Sequence, residues 1–229
     1  WYKRHGFSIS GPNKRDLIYI PTPPDIRLSP TPPVQSPEFR RWFKNSKVVD
    51  EQGNPLVVYH GGLDIISEGS YGRAAGPGRF KPSTEGALGA GIYLTPDFEF
   101  AREYAESFVP PDPETGAAIT DVYVSIQNPI EIVGAHINPA TEALMILGVS
   151  EKSAMSIVEK SEEEYGYVRN QIVNRANKLG FDGIIQYNSD GSFKEIVAFD
   201  PTQVKSATAN VGTYDPSSPD IRLSPVKPA

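Results

Sequence analysis

Residues 89–105 read Gly-Ala-Gly-Ile-Tyr-Leu-Thr-Pro-Asp-Phe-Glu-Phe-Ala-Arg-Glu-Tyr-Ala, and the rest of the chain can be organised around them. They predict a glycine turn, a short strand with Tyr93 and a helix with Tyr104. Thr95-Pro96-Asp97 is a strong helix start, because threonine can cap, proline suits the first helical position and aspartate favours the positive helix end. Apolar residues at helical spacing predict an inward face: Leu94, Phe98, Ala101, Ala105 and Phe108. Tyr93 and Tyr104 can then face each other across a slot as thick as a flat ring, where we expect a ligand.

The composition fits one globular domain with proline-rich ends. The chain has 229 residues, 38% of them hydrophobic, and many of its 22 prolines lie near the two ends. That is enough for a single core. A net charge of −6 argues against a general nucleic-acid surface, which is normally basic. The absence of cysteine excludes disulfides and thiolate chemistry, and His5, His60 and His136 are too scattered to predict a metal centre. No apolar run predicts a membrane span.

One peptide occurs twice. Residues 19–30 read Tyr-Ile-Pro-Thr-Pro-Pro-Asp-Ile-Arg-Leu-Ser-Pro, and residues 214–225 read Tyr-Asp-Pro-Ser-Ser-Pro-Asp-Ile-Arg-Leu-Ser-Pro. The period is far too long for a solenoid. We interpret the copies as a connecting peptide between modules of a larger protein; the alternative is that both ends dock side by side on the domain. We predict an N-terminal linker over 1–35, a folded domain over 36–210 and a C-terminal linker over 211–229.

The other segments predict a sheet interrupted by helices. Helices are predicted after Ser36 and over 139–148, 150–163 and 167–179, a hairpin over 47–59, and strands over 122–126, 130–133, 183–187 and 195–199. This order favours an α+β fold over a doubly wound sheet. A Rossmann site is excluded, because the third glycine of that fingerprint is missing after Gly91. The long glycine-rich segment over 62–91 is of a kind that is usually functional or disordered.

Each candidate functional residue also has a structural explanation. A single histidine at a strand end, such as His60, is more often a structural hydrogen-bonding group than a catalyst. Tyr93 and Tyr104 can be core aromatics with tethered hydroxyls. Glu195 can be a strand-edge charge that discourages aggregation. Taken one at a time, these residues do not indicate a function.

Their order along the chain resembles a known signature. The chain carries His60-Gly61, then Gly91-Ile92-Tyr93, then Tyr104 eleven residues after Tyr93, then Glu195 at the start of a strand. This pattern is similar to that of ADP-ribosyltransferases of the His-Tyr-Glu type, the class of diphtheria toxin and the poly(ADP-ribose) polymerases. Further segments resemble the ADP-ribosyltransferase modules of polyvalent proteins in phages and mobile elements: Ser36–Phe43, Lys47–Asp50, Val57–Gly61, Gly180–Gly183, Gly212–Pro216 and Pro219–Arg222.

The resemblance, which covers about residues 36–225, implies a fold and a substrate. The fold would be a split antiparallel β-sheet core with inserted helices, and an NAD⁺ cleft would lie between the sheets. NAD⁺ would be the substrate, and no metal would be needed. Glu195 would stabilise the positive charge that develops on the ribose, since a fixed carboxylate suits an oxocarbenium-like transition state.

The remaining site residues follow from the same resemblance. Tyr93 and Tyr104 would stack on the nicotinamide, and the backbone of Gly61 would hold its carboxamide. His60 would bond the adenosine-side ribose, and Arg73 or Arg79 would meet the pyrophosphate. Two neighbouring positions depart from the pattern: Gly62 stands where threonine or serine is usual, and Ala101 stands where the polymerase branch has serine.

We therefore expect an enzyme that transfers ADP-ribose from NAD⁺ to an acceptor macromolecule, a host protein rather than a nucleic acid. Phe193 occupies the place of the first glutamate in the arginine-directed Glu-x-Glu signature, so that specificity is not indicated. The domain would be monomeric, would have no membrane partner, and would act in the cytoplasm or after delivery into a host cell. The alternatives are an NAD⁺ glycohydrolase and a non-catalytic module that binds a nucleotide or a partner.

Overall fold

The computed structural model describes residues 33–63, 78–83, 86–107, 117–134, 137–163, 167–210 and 212–222. Arg73, Phe108, His136 and the first copy of the repeated peptide lie outside these residues. Where the chain is described, it forms seven strands and five α-helices. The strands are β1 (Val58–Leu63), β2 (Ile92–Leu94), β3 (Ala117–Val124), β4 (Pro129–Val133), β5 (Gly183–Tyr187), β6 (Phe193–Ala198) and β7 (Val204–Ser206). The helices are α1 (Pro37–Phe43), α2 (Phe98–Ser107), α3 (Pro139–Ile146), α4 (Glu151–Glu163) and α5 (Tyr167–Leu179).

Two sheets form the core of this α+β fold. One has the order β1-β3-β7 and is antiparallel, and the other has the order β2-β6-β5-β4, in which only β4 and β5 are parallel. The sheets touch at one bridge, where Tyr59 and Thr95 exchange two backbone hydrogen bonds of 2.8 and 3.0 Å. Beyond this bridge β1 and β2 separate. The split sheet that the resemblance implies is confirmed.

The four-stranded sheet is buried on both faces. Ile185 and Ile196 pack in a cluster shared with the other sheet, whereas their chain neighbours Ile184 and Val197 pack in a second cluster with the helices α3, α4 and α5. Successive strand residues point to opposite faces, so a strand between two cores must be apolar at consecutive positions. This explains the unbroken apolar runs in the sequence.

The start of α2 differs from the prediction. Thr95 accepts only from the N–H of Asp97, and the side chain of Asp97 accepts from the N–H groups of Glu99 and Phe100. Asp97 is therefore the residue that caps the helix. Its carboxylate accepts hydrogen bonds from the N–H groups two and three residues later, which have no partner within the first turn. The inward face is narrower than predicted: Ala101 and Ala105 are buried, but Phe98 is 40% exposed.

The folded part extends past the predicted boundary at residue 210. Tyr214 and Ile221 are 1% and 0% exposed, and Tyr214 packs in an aromatic cluster with α1. Residues 212–222 therefore belong to the packed structure. The role of this peptide as a connector between modules stays a prediction.

Candidate active site

A cleft of about 210 Å³ opens where the two sheets separate. It is lined by β1, β2, β6, α2 and the loop before β2, through the residues Tyr59, Gly61, Gly86, Ala87, Tyr93, Leu94, Thr95, Phe100, Ala101, Tyr104 and Glu195. Ligand pockets are typically about 300–1,000 Å³. The cleft therefore suits one ring and its neighbouring sugar better than a whole dinucleotide.

Gly61 lets a strand and a helix meet backbone to backbone. A Cβ built at Gly61 would lie 1.9 Å from the carbonyl oxygen of Ala101 on α2. Only glycine allows such an approach. The glycine in the predicted motif is thus required by the packing of the cleft wall itself, a reason that the sequence did not reveal.

The backbone of Gly61 also faces the split between the sheets. Tyr59 uses its N–H and C=O to pair with Thr95 of the opposite sheet, while the register of β1 with β3 runs without interruption from Val58 to Leu63. Alternate residues of a strand direct their backbone groups to the same edge. Gly61, two residues after Tyr59, therefore directs its N–H and C=O toward the cleft.

Tyr93 is held firmly. Its hydroxyl accepts a 2.8 Å hydrogen bond from the N–H of Leu88 and donates a 2.7 Å bond to the carbonyl of Gly89. A Cβ at Gly86 would lie 2.0 Å from two carbon atoms of the tyrosine ring, so the loop closes directly over that ring. Tyr104 is 46% exposed and lines the same cleft from α2. The structure thus brings the two predicted tyrosines to one cleft.

His60 is oriented by the same strand. Its Nδ1 lies 2.8 Å from the carbonyl oxygen of Tyr93, and its ring meets Phe80 edge to face at 4.8 Å. A carbonyl can only accept, so Nδ1 carries the proton and Nε2 is left as an acceptor in the neutral ring. Burial lowers the pKa of His60, and the bond to Tyr93 offsets this only in part. His60 does not line the cleft described above.

Glu195 presents a carboxylate to the cleft from β6. It lies opposite Gln186 of β5, and the hydroxyl of Thr95 donates to the carbonyl of Lys194, which fastens β6 to β2 beside it. Burial raises the pKa of Glu195, and the neighbouring charge of Lys194 offsets this only in part. A carboxylate in a poorly hydrated wall interacts more strongly with a developing positive charge than one in water.

The prediction from sequence missed part of the lining and included residues that lie elsewhere. Phe100 precedes Tyr104 by one helical turn, a spacing that could have indicated their shared face. Gly86 and Ala87 carry no such signal. Gly62 lies beside His60, where a Cβ would be 3.0 Å from Nε2. Arg79 is exposed, its backbone pairs with that of Asp220 in an isolated antiparallel β-bridge, and it does not line the cleft, so the structure does not bring it to this site.

The ranges of the chain that the structure describes contain no group of three or more histidine, aspartate or glutamate side chains that could hold a metal ion. None of the helices they include has the length and apolarity needed to span a bilayer.

A family model described as "ADP-ribosyltransferase in polyvalent proteins" matches residues 50–214. The chain belongs to this family. The match includes the strand, helix and loop residues that form the cleft of this ADP-ribosyltransferase domain, and it runs past residue 210 to Tyr214. Enzymes of the family use NAD⁺ as substrate.

No curated protein matches this ADP-ribosyltransferase domain. A solved structure described as "Crystal structure of an anti-CRISPR protein" is 17% identical, with 65% of this chain and 91% of that chain covered and a TM-score of 0.31. A likeness this low carries no argument about the function.

The lowered pKa of His60 predicts an acid-sensitive fold. Between pH 6.5 and the lower native pKa, the unfolded chain binds a proton at this histidine that the native protein does not bind, so stability falls as the pH falls. The slope contributed by one proton approaches about 1.4 kcal/mol per pH unit. His60→Asn, whose amide can still donate to the Tyr93 carbonyl, is expected to make the thermal midpoint less dependent on pH below 6.5. Parallel curves for the two proteins would contradict this account.

Proposed function

We propose that this domain cleaves NAD⁺ at the nicotinamide–ribose bond and transfers ADP-ribose to an acceptor macromolecule. The observation that carries the proposal is the shared cleft of Glu195, Tyr93 and Tyr104. The family membership supports the same reaction class. Glu195 is the proposed catalytic carboxylate, and the tyrosines are the proposed walls of the nicotinamide site.

The cleft suits the nicotinamide end of NAD⁺ in two ways. The nicotinamide ring is flat and positively charged, and aromatic faces attract such a ring by stacking and cation–π interaction. The N–H and C=O of Gly61 face the split, so the N–H can donate to the oxygen of a carboxamide and the C=O can accept from its NH₂ group. Nε2 of His60 would accept from a ribose hydroxyl farther along the dinucleotide.

Glu195 would act on the bond that breaks. When the bond between the ribose carbon and the nicotinamide nitrogen breaks, its electron pair goes to the nitrogen and neutral nicotinamide leaves. Positive charge then develops on the ribose, and the carboxylate of Glu195 stabilises it more than it stabilises bound NAD⁺. An acceptor nucleophile attacks the same carbon and gives up its proton. If water takes that place, the product is free ADP-ribose.

The test is incubation with a host-cell lysate and NAD⁺ that carries label in the adenosine half. We expect nicotinamide release together with label on a discrete macromolecule, and protease and nuclease digestion then identify the acceptor class. Release of equal amounts of nicotinamide and free ADP-ribose, without labelled macromolecule, would establish a glycohydrolase instead. No release in any lysate fraction would favour the non-catalytic binding module.

A further inference from the structure

The C-terminal peptide lies in a groove that fits its sequence. We call residues 214–222 the strap, and we call the surface that receives them the strap groove, which is formed by Phe39, Trp42, Gly78, Lys205, Ser206 and Asn210. At one end, the ring of Tyr214 packs edge to face on Phe39 at 5.0 Å and stacks on Trp42 at 5.8 Å. Tyr214 is thus a buried aromatic anchor.

Ile221 is the second anchor. Its N–H donates to the carbonyl of Gly78 at 2.8 Å, and its carbonyl accepts from the N–H of Ser206 at 3.0 Å and from the side-chain amide of Asn210 at 3.1 Å. Its side chain is fully buried in the core shared by the two sheets. The strap therefore adds to the domain by main-chain hydrogen bonds plus buried side chains, which is a recurring mode of peptide recognition.

A buried lysine holds the segment between the anchors. Nζ of Lys205 donates to the carbonyl of Ser218 at 2.5 Å and to that of Asp220 at 3.3 Å. Lys205 is 0% exposed, and burial lowers its pKa to about 8. A lysine so buried needs oxygen acceptors. The strap supplies two backbone carbonyls, which peptides of different side chains also offer.

Gly78 fits the Asp-Ile-Arg sequence of the strap. Nε of Arg222 lies 3.5 Å from a carboxylate oxygen of Asp220. A Cβ at Gly78 would be 2.2 Å from that nitrogen and 2.7 Å from that oxygen, so the glycine leaves the space that the pair fills. The groove thus accommodates an aspartate and an arginine on either side of the buried isoleucine.

The first copy of the peptide retains the two anchors and the Asp-Ile-Arg sequence of the strap, with Ile20 in place of Asp215, whose charge acts on Lys205. Tyr19 and Ile26 are seven residues apart, as are Tyr214 and Ile221. Other shared residues are Pro21, Pro24, Asp25 and Arg27, which match Pro216, Pro219, Asp220 and Arg222. At the buried position of Ser218 the first copy has Pro23, and proline keeps the carbonyl that Lys205 needs.

We propose that the strap groove is a peptide-recognition site whose second ligand is residues 19–27 of another copy of this chain. Only residues 28–32 separate that peptide from Pro33, whose neighbour Val34 packs at the Tyr214 end of the groove. Within one chain, these five residues would have to lead back along the strap, which has nine residues, from its Arg222 end to its Tyr214 end. Exchange between two chains is therefore favoured over exchange within one. When the strap leaves the groove, the groove can bind this peptide of a second copy and so connect two chains.

In the intact chain the tethered strap has the advantage, because an attached ligand competes at an effective concentration near the millimolar range. The test therefore weakens the strap first. In the full chain, Ile221→Ala removes most of one anchor, and we expect analytical ultracentrifugation to show a concentration-dependent dimer that the unaltered chain does not form. Ile26→Ala/Ile221→Ala is expected to be monomeric. The matched control Ile20→Ala/Ile221→Ala, altered at the position that corresponds to the non-identical Asp215, is expected to dimerise.

A labelled peptide of residues 19–30 gives a second measurement that does not depend on dimerisation. We expect this peptide to bind the Ile26→Ala/Ile221→Ala protein at least 10-fold more tightly than a control peptide with Ile26→Ala binds the same protein. An unlabelled peptide of residues 214–225 should displace it. If Ile221→Ala does not fold, Asp220→Ala replaces it in both experiments. A monomeric Ile221→Ala chain, identical behaviour of the two double variants, or equal binding of the two peptides would overturn the proposal.

Discussion

Glu195→Gln is expected to lower the rate of nicotinamide release from NAD⁺ by a factor of at least about 100, with the domain still folded. Glutamine has the same shape and can still bond a ribose hydroxyl, but it carries no negative charge to stabilise the ribose cation. The loss should therefore appear in kcat more than in KM, because the missing interaction is made in the transition state. Initial rates with varied NAD⁺ measure both.

The raised pKa of Glu195 adds two expectations. The activity of the unaltered enzyme should fall on the acid side as this carboxylate takes up a proton, at a pH above the ordinary value of 4.5. The stability of the folded domain depends on pH in the opposite sense. Between 4.5 and the raised native pKa, the native protein keeps a proton that the unfolded chain has lost, so stability decreases as the pH rises through that window.

Glu195→Gln should consequently be more stable than the unaltered domain at neutral pH and should show no such gain below pH 4.5. A functional carboxylate that costs stability is a common compromise at active sites. The matched control is Glu131→Gln, the same change at an exposed position of β4. Full activity of Glu195→Gln, or an equal loss in Glu131→Gln, would remove Glu195 from the mechanism.

Local patterns in the sequence predicted most of the architecture. The capping serine before α1 and the helical spacing of its aromatics placed that helix, and the left-handed glycine after Leu179 ended α5 where predicted. These signals lie within a few residues of the feature that they determine. The predicted start of α2 was wrong, because Thr95 and Asp97 are both good capping residues and only the packing of the folded chain selects between them.

The geometry of the cleft could not be predicted in this way. Gly61 is a glycine because Ala101 lies against it, and Gly86 because the ring of Tyr93 does, contacts that depend on how distant elements pack. The repeated peptide showed the same limit. Its two copies could be recognised in the sequence, but the burial of Tyr214 and Ile221 depends on Phe39, Trp42, Gly78 and the core between the sheets.

Gly61→Ala is expected to have the second large effect, on stability and activity together. The new methyl group would lie 1.9 Å from the carbonyl oxygen of Ala101, so α2 must move away from β1. Overpacking costs typically about 1–3 kcal/mol, and we expect the upper end or more because the contact is with backbone, which cannot change rotamer. The displaced helix carries Tyr104, so NAD⁺ binding should weaken as well. Urea unfolding and the KM for NAD⁺ measure the two effects.

Two comparison variants separate this contact from a general intolerance of alanine in β1. Gly62→Ala adds the same methyl one residue later, where its nearest neighbour is Nε2 of His60 at 3.0 Å, a side-chain atom that can shift slightly. We expect it to cost much less stability. Gly61→Ala/Ala101→Gly should not recover, since the clash involves the carbonyl oxygen of residue 101 and not its side chain. Recovery in that double variant, or equal losses in Gly61→Ala and Gly62→Ala, would show that the close approach of β1 to α2 is not what fixes the cleft wall.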